Sequence, residues 1–214
     1  MRLSILVDKL RLEKKEFVTS EEVKEYCKSL KLDYDLVIRY SLWRKYLVRI
    51  FRGVFYVKSI EEFKTRKSKY NHLELVAKGL ELKKVKNWYF GLHTALKLNN
   101  MTHEYFTIDE VISDSVFRAN PVNIVGYKFK FVKIVPPLLD FGIVEHKGNY
   151  TIRYSDPEKT ILDFIYLSKN KGRSPELIAM DLKDWANNIS KRKLLMYATK
   201  YPKTVERIAK LVFK

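Results

Sequence analysis

Two groups of residues in this chain of 214 residues have types and spacings that could carry chemistry. In the first group, the carboxylates of Asp156, Glu158 and Asp163 and the amine of Lys159 could together hold a metal ion and act on a phosphate. The same segment is a strong helix start. Asp156 can cap a helix, Pro157 suits its first position, and Glu158 opposes the positive end of the helix dipole. We therefore predict structural roles here and keep a metal-dependent nucleic-acid enzyme as an alternative.

Other signals of catalysis are missing from the sequence. It has no Gly-x-x-x-x-Gly-Lys loop and no Gly-x-Ser-x-Gly elbow. The histidines lack ligand spacing such as His-Glu-x-x-His; they are His72, His93, His103 and His146. We predict a protein that is not an enzyme, with no catalytic residues, no metal and no cofactor.

The compartment is indicated by cysteine usage and by hydropathy. The single cysteine, Cys27, excludes a disulfide framework, and we expect its thiol to be buried. No apolar run approaches the roughly 18 residues that a membrane span needs, and the N-terminus lacks a signal-peptide core. These features predict a cytoplasmic protein with no membrane partner.

The second group consists of basic and polar residues that could bind double-stranded DNA. We expect Tyr34, Arg39, Arg44 and Lys45 to enter or flank the major groove, where arginine can pair two ways with guanine. Arg49, Arg52 and Lys58 would meet phosphates or the minor groove. Thr19 and Ser20, with the amides of a helix N-terminus, could hold a phosphate. The candidate DNA-binding residues are thus Thr19, Ser20, Tyr34, Arg39, Arg44, Lys45, Arg49, Arg52 and Lys58.

The elements that carry this second group follow from local patterns. Thr19 and Glu22 have capping-box spacing, which starts a helix at about Ser20 that runs to Leu30. Asp33 can cap a second helix that ends near Lys45, in which we expect Tyr40 and Trp43 to be core residues. Apolar β-rich runs over 47–51 and 54–57 join at Arg52-Gly53 as a hairpin. Which face of the second helix points outward stays open.

This order of helix, helix and basic hairpin predicts a winged helix-turn-helix. An amphipathic helix over residues 1–14 would complete a three-helix core with the two motif helices. The charge supports the prediction, because a net charge of +17 favours a polyanionic partner. Residues 1–70 carry +8, residues 71–190 carry +2 and residues 191–214 carry +7. The excess therefore lies at the two ends of the chain and coincides with the motif.

The predicted fold class is α+β: an N-terminal winged helix-turn-helix, then a C-terminal mixed α/β domain that ends in a helical set. We place the DNA-binding domain at residues 1–70, a connector helix at 71–85 and the second domain at 86–214. In Tyr127–Lys133, alternation puts aromatic residues on one face of a strand and lysines on the other. The predicted strands are 106–111, 127–135, 142–146 and 150–154, and the predicted helices are 156–169, 175–184, 190–200 and 202–213.

Several segments, in this order, resemble the AbiEi antitoxins of abortive-infection toxin-antitoxin systems, over nearly the whole chain. After the winged helix and connector comes an aromatic segment with Thr94-Ala95-Leu96 and Met101-Thr102, while Asn99-Asn100 replace the family's glycine. Strands follow, and then Asp156-Pro157-Glu158-Lys159-Thr160, which is similar to the family's second motif. The hairpin also matches in Arg52-Gly53-Val54-Phe55-Tyr56.

This resemblance implies a transcriptional repressor that is also an antitoxin. The winged helix would bind inverted repeats in its own promoter, and the C-terminal domain would counter a nucleotidyltransferase-like toxin without requiring a stable complex. Apart from the enzyme, one more alternative stays open: a winged-helix regulator whose second domain senses a ligand or partner through a pocket in residues 86–190. The oligomeric state also stays open, because operator repeats can be filled by two monomers or by a dimer.

Overall fold

The computed structural model describes residues 3–187 and 189–213, and it is an α+β protein made of two compact units. The first unit comprises the chain up to Val85 together with Asn123–Gly126 and Gly148–Thr151, and the second unit comprises the remainder. The elements of the chain up to Val85 are α1 (Ile5–Leu12), β1 (Phe17–Thr19), α2 (Ser20–Ser29), α3 (Tyr34–Trp43), β2 (Leu47–Phe51), β3 (Val54–Val57), α4 (Ile60–Thr65) and α5 (His72–Leu82).

The core of the first unit brings the three N-terminal helices together, as predicted. Leu6 and Leu10 of α1 are fully buried and share one apolar cluster with Val23 and Cys27 of α2 and Val37 of α3. Burial raises the pKa of the Cys27 thiol. The predicted helices over 20–30 and 33–45 are confirmed, with slightly shorter ends.

The first sheet has the strand order β1-β3-β2 and is antiparallel throughout. All four residues of Val54–Val57 are buried because β3 is the central strand and both α1 and α5 contact it. The predicted strands over 47–51 and 54–57 are confirmed, and so is their junction at Arg52-Gly53. Gly53 has a φ of +77°, in the left-handed region that favours glycine.

Two elements of the first unit were not predicted. Strand β1 is only three residues long and exists because Phe17–Thr19 pairs with β3. Helix α4 begins with a capping box, in which the Ser59 hydroxyl accepts the Glu62 amide and the Glu62 carboxylate accepts the Ser59 amide. That spacing is the same as for Thr19 and Glu22, but here it lies inside a stretch dense in charge.

The second sheet has the strand order β6-β7-β5-β4-β9-β8. Strand β4 pairs antiparallel with β5 and parallel with β9, and β5 pairs parallel with β7. The remaining elements are β4 (Trp88–Phe90), α6 (Leu92–Leu98), β5 (Ile108–Ser113), β6 (Val122–Ile124), β7 (Tyr127–Lys133), β8 (Ile143–Lys147), β9 (Thr151–Ser155), α7 (Pro157–Asn170), α8 (Pro175–Leu182), α9 (Lys191–Ala198) and α10 (Lys203–Leu211).

The predicted strands of this sheet are present, and three of them lie one or two residues later than predicted. Strand β5 lies two residues later than the predicted 106–111, because its pairing with β4 joins Trp88 to Ser113 and Phe90 to Val111. Strand β6 was not predicted. In β7 the alternation holds for Phe129 and Phe131, which are buried, whereas Tyr127 at the strand start is half exposed.

The four predicted C-terminal helices are confirmed as α7 to α10. Their apolar faces meet in one core with residues of the second sheet and α6, and Ile161, Leu162, Leu194 and Ile208 are among its buried members. The start of α7 is as expected. The Asp156 carboxylate caps the helix by accepting the Lys159 amide at 2.8 Å, and Pro157 occupies the first helical position.

Candidate nucleic-acid interface

A complete capping box forms the start of α2, and it engages the hydroxyl and the amide of Thr19. The Thr19 hydroxyl accepts the Glu22 amide at 3.3 Å, and the Glu22 carboxylate accepts the Thr19 amide at 2.8 Å. Burial would raise the pKa of Glu22, but hydrogen bonds from Lys15 and from the Thr19 amide outweigh burial and lower it. The hydroxyl and the amide of Thr19 thus form hydrogen bonds within the helix cap, and a phosphate contact at Thr19 stays a prediction.

Ser20 joins three elements at one point. Its amide donates to the carbonyl oxygen of Gly53 at 2.9 Å, and this bond ties α2 to the turn between β2 and β3. The Tyr34 hydroxyl donates to Ser20 Oγ at 3.0 Å, and this bond ties α3 to α2. A methyl group placed on Gly53 would lie 3.0 Å from Ser20 Oγ, so the hairpin turn and the helix approach closely. These bonds hold α3 and the hairpin in a fixed relation.

Around this point the first unit has an open groove of about 820 Å³, which we call the first groove. Five basic and two acidic side chains line it, so the surface is positively charged. It contains five of the nine candidate residues, namely Ser20, Tyr34, Arg39, Arg49 and Arg52. The other residues that line it are Glu21, Lys24, Asp35, Ile38, Gly53, Phe55 and Lys83.

The three arginines of the first groove are exposed and their charges are not neutralised locally. Arg39 Nε donates only to the carbonyl oxygen of Asp35, at 3.3 Å, and the Arg49 guanidinium lies 5.7 Å from the ring centroid of Phe55. Within residues 3–187 and 189–213, none of Arg39, Arg49 and Arg52 forms a salt bridge. An exposed guanidinium group that forms no salt bridge can pair with an anionic or hydrogen-bond-accepting group of a partner.

The remaining basic candidates lie in a second groove of about 830 Å³, at the C-terminal end of α3. We call it the second groove. It brings Arg44, Lys45 and Lys58 together with Lys64 and Arg66, which belong to the unpredicted α4 and its cap. Its lining is completed by Trp43, Glu62 and Phe63. Helix α3 therefore contributes Arg39 to the first groove, and the turn that follows it contributes Arg44 and Lys45 to the second groove.

The prediction that Trp43 is a core residue is wrong. Its side chain is 74% exposed, because the buried face of α3 consists of Val37, Ile38 and Ser41, and Trp43 points away from that face. The guanidinium of Arg44 lies 5.6 Å from its ring. Tyr40 is half-buried, and its ring packs 6.1 Å from the ring of Tyr46.

Two basic residues that line the first groove are not among the candidate DNA-binding residues predicted from the sequence. Lys24 lies one helical turn after Ser20, so the spacing of four residues could have indicated a shared face of α2. Lys83 follows the end of α5 and reaches the first groove from a distant part of the chain. No local pattern points to Lys83.

In the second unit, the group considered for metal chemistry is engaged in structural contacts. Lys193 Nζ lies 3.0 Å from a carboxylate oxygen of Asp156 and 2.9 Å from one of Glu158. Although burial favours the neutral amine, these two carboxylates raise the pKa of Lys193. In the part of the chain that the structure describes, no group of three His, Cys, Asp or Glu side chains could hold a metal ion.

The other half of that group is fully buried. Lys159 Nζ contacts the carbonyl oxygen of Leu138 at 2.5 Å and lies 3.4 Å from Asp163 Oδ1. Asp163 also accepts hydrogen bonds from the hydroxyls of Tyr89 and Tyr201, at 2.8 and 2.6 Å. Burial lowers the pKa of Lys159 and raises that of Asp163. These side chains crosslink the core of the second unit.

Comparisons with known proteins bear on the fold. A scan against protein-family models matches none, and a search of the curated proteins finds no relative. Among solved structures, the RV2827C protein from Mycobacterium tuberculosis matches 98% of this chain and 75% of its own chain, with a TM-score of 0.58 and 15% sequence identity. At this identity the likeness shows the fold alone. Among the described residues, no helix is both long enough and apolar enough to cross a membrane.

Proposed function

We propose that the first unit is a winged helix-turn-helix that binds double-stranded DNA. In this proposal α2 and α3 form the helix-turn-helix, α3 is the recognition helix, and the β2–β3 hairpin is the wing. The observation that carries the proposal is the first groove. There Arg39 from the helix and Arg49 and Arg52 from the hairpin line one surface without a salt bridge to any described residue.

Each arginine has a distinct proposed role. Arg39 lies on the exposed side of α3, where a guanidinium can donate two hydrogen bonds to the major-groove edge of guanine. Arg49 and Arg52 belong to the hairpin, which would follow the DNA backbone and contact phosphates or the minor groove. Lys24 would add a phosphate contact from α2. Tyr34, tied to Ser20 at 3.0 Å, would set the position of the α3 start.

The second groove would extend the same interface past the end of α3. Its basic residues Arg44, Lys45 and Lys58 suit phosphates that flank the bases read by α3. The exposed ring of Trp43 lies among them and would contact sugar and backbone. Because phosphate contacts carry no base information, we expect substitutions in the second groove to weaken binding equally for all sequences.

The experiment that tests DNA binding compares matched substitutions by fluorescence anisotropy on a labelled duplex from the upstream region of the gene. Lys24→Ala removes a cation of the first groove, whereas Lys28→Ala removes an exposed cation four residues later on α2, outside both grooves. We expect Arg39→Ala, Arg52→Ala and Lys24→Ala to lower the affinity by about tenfold each, and Lys28→Ala to leave it unchanged. Equal losses for Lys24→Ala and Lys28→Ala would reject the first groove as the binding surface.

We further propose that this protein represses its own promoter as the antitoxin of a toxin-antitoxin operon. The support is the resemblance to AbiEi antitoxins in the order of the hairpin, the Thr94-Ala95-Leu96 segment and the start of α7. The second unit would then counter a nucleotidyltransferase-like toxin encoded by a neighbouring gene. Expression of that neighbour alone should arrest growth, and coexpression of this chain should restore it. A harmless neighbour would reject the antitoxin role and leave DNA binding intact.

We propose that the chain itself is not an enzyme. The carboxylates of Asp156 and Glu158 are occupied by Lys193, and Lys159 and Asp163 are inaccessible in the core. Divalent-metal-dependent cleavage of nucleic acid that is lost in Asp156→Asn would contradict this proposal.

A further inference from the structure

The second unit contains a cavity of about 550 Å³ that the proposed DNA-binding function does not use. Its volume lies within the range of about 300–1,000 Å³ typical of small-molecule sites. Elements α6, β5, β7, α7 and α8 all contribute to its wall. Most of the residues that line it are apolar, and Phe164 and Trp185 are among them.

One wall of the cavity is aromatic. The ring of Phe164 lies 5.2 Å from that of Trp185, and both rings are only partly buried, so they keep surface toward the cavity. The imidazole of His93 stands edge-on to these rings, with centroids 5.0 Å from Phe164 and 6.0 Å from Trp185. Flat side chains in this arrangement favour a planar ligand that stacks or packs edge-to-face against them.

His93 is held in one orientation and one tautomer. The buried carboxylate of Glu110 lies 2.8 Å from His93 Nδ1 and also accepts the His93 backbone amide at 3.1 Å. Because a carboxylate only accepts hydrogen bonds, Nδ1 must carry the proton, and in the neutral ring Nε2 is then an acceptor. Among the residues that the structure describes, Nε2 has no hydrogen-bond partner. It is free to accept an O–H or N–H group of a ligand.

The cavity also has cations, and one acid lies near them: Glu110, which lines the cavity and contacts His93 Nδ1, is in register with Lys130 on the neighbouring strand. Arg173 is paired with Asp181 at 2.5 Å, but Lys130 and Lys171 form no salt bridge with any described residue. Two free ammonium groups beside an apolar, aromatic wall complement a molecule that is flat and apolar at one end and anionic at the other.

We propose that this cavity binds a small aromatic carboxylate: its ring packs against Phe164 and Trp185, its carboxylate meets Lys130 and Lys171, and a ring hydroxyl or N–H donates to His93 Nε2. The site lies wholly within the second unit, so the inference does not rest on DNA binding. It gives the second unit a ligand of defined chemistry, which the antitoxin proposal does not require.

Fluorine NMR on the full-length protein tests this proposal with two probes, a fluorinated para-hydroxybenzoate and a fluorinated hydroxynaphthoate, each beside its neutral amide. We expect saturable binding of at least one acid, and binding of its amide weaker by about tenfold or more, because the amide loses a charge-assisted hydrogen bond. Lys130→Ala and Lys171→Ala should each weaken binding of the acid by about tenfold. Lys128→Ala, two residues earlier on β7 and outside the cavity, should leave it unchanged.

Three results would overturn the proposal. Failure of both acids to bind would reject an aromatic carboxylate as the ligand. Equal affinity for acid and amide would show an apolar site that does not use the lysines. Loss of binding in Lys128→Ala as large as in Lys130→Ala would show a diffuse charge effect. All three variants change surface or half-exposed lysines, and a proton NMR spectrum confirms that each is folded.

Discussion

The contact between the hairpin turn and α2 predicts that Gly53→Ala harms both stability and DNA binding. Gly53 has a φ of +77°, and an added Cβ would lie 3.0 Å from Ser20 Oγ and 3.6 Å from Ser20 Cβ. Its carbonyl oxygen also accepts the Ser20 amide. The turn can relieve the contact only by moving away from Ser20, which shifts Arg49 and Arg52 relative to α3.

Two effects contribute to the expected loss of stability in Gly53→Ala. An alanine in the left-handed region costs about 1–2 kcal/mol. The close contact adds about 1 kcal/mol, because the Ser20 hydroxyl must rotate and give up its hydrogen bond from Tyr34. We therefore expect a loss of about 2–3 kcal/mol in the free energy of unfolding of the first unit.

Gly126 supplies a matched control for the first part. It also belongs to the first unit and has a φ of +87°, but an added Cβ would meet nothing within 4 Å. Gly126→Ala should lower the free energy of unfolding only by the cost of an alanine in the left-handed region, about 1–2 kcal/mol. It should not change the affinity for DNA. Urea denaturation of both variants measures their stabilities. Fluorescence anisotropy on the upstream duplex, without urea and under conditions where both variants are folded, measures their affinities for DNA.

The test compares the stability and the DNA affinity of Gly53→Ala with those of Gly126→Ala. We expect Gly53→Ala to be less stable than Gly126→Ala by about 1 kcal/mol and to bind DNA several-fold more weakly, whereas Gly126→Ala binds as the natural chain does. If the two variants lose equal stability and both keep full affinity, the approach of the hairpin to Ser20 does not determine the geometry of the first groove.

Three other predictions concern stability. Thr19→Ala removes the acceptor of the Glu22 amide and should cost about 1 kcal/mol in urea denaturation. An unchanged stability would contradict the role of this cap, and a drop in the DNA affinity of the folded variant would support Thr19 as a phosphate contact. Although burial opposes it, three hydrogen bonds hold the pKa of Glu62 below its ordinary 4.5, so its stabilisation exists above that value and fades as pH falls through the folded pKa. Glu62→Gln should lower the melting temperature near neutral pH and have much less effect in strong acid, and parallel pH profiles would contradict this. Lys159→Met strands the buried carboxylate of Asp163 and should cost about 3–5 kcal/mol in urea denaturation; a loss below 1 kcal/mol would show that the pair contributes little.

Local signals in the sequence fix much of the first unit. The capping box at Thr19 and Glu22 and the cap at Asp33 start α2 and α3 where they were expected, and the apolar runs around Arg52-Gly53 form the predicted hairpin. The two caps succeed because each depends on residues within three positions of one another, and the hairpin succeeds because a turn of two residues joins its strands. The start of α7 at Asp156 is correct for the same reason.

The composition of the candidate interface depended on tertiary structure and could be predicted only in part. Five of the nine candidates share the first groove, but Lys83 reaches it from the end of α5, far along the chain. Trp43 was misplaced because α3 has apolar residues around most of its circumference, and only packing against α1 and α2 selects its buried face. At Thr19 the capping box could be predicted, because its spacing is local, whereas a phosphate contact there stays a prediction.

The residues that line the cavity of the second unit also come together only through tertiary structure. His93 and Glu110 are 17 residues apart, on α6 and β5, and they meet only because that strand and helix pack together. Lys130 comes from β7 and Lys171 from the end of α7. A possible pocket in residues 86–190 could be stated from the sequence, but its lining and charge could not.

The most direct test of the central claim, that the first unit reads DNA sequence, is a salt series of anisotropy titrations on the upstream duplex and on a scrambled duplex of equal length. Six cations are assigned above to the DNA backbone, namely Lys24, Arg44, Lys45, Arg49, Arg52 and Lys58. If they neutralise about six phosphates, log affinity should fall with log salt at a slope of about −5.4 on either duplex. We predict that the upstream duplex stays bound at moderate salt, at least about a thousandfold tighter than the scrambled one, and that Arg39→Ala narrows this gap. Equal affinities for the two duplexes across the salt series would contradict the claim and leave only non-specific attraction to DNA.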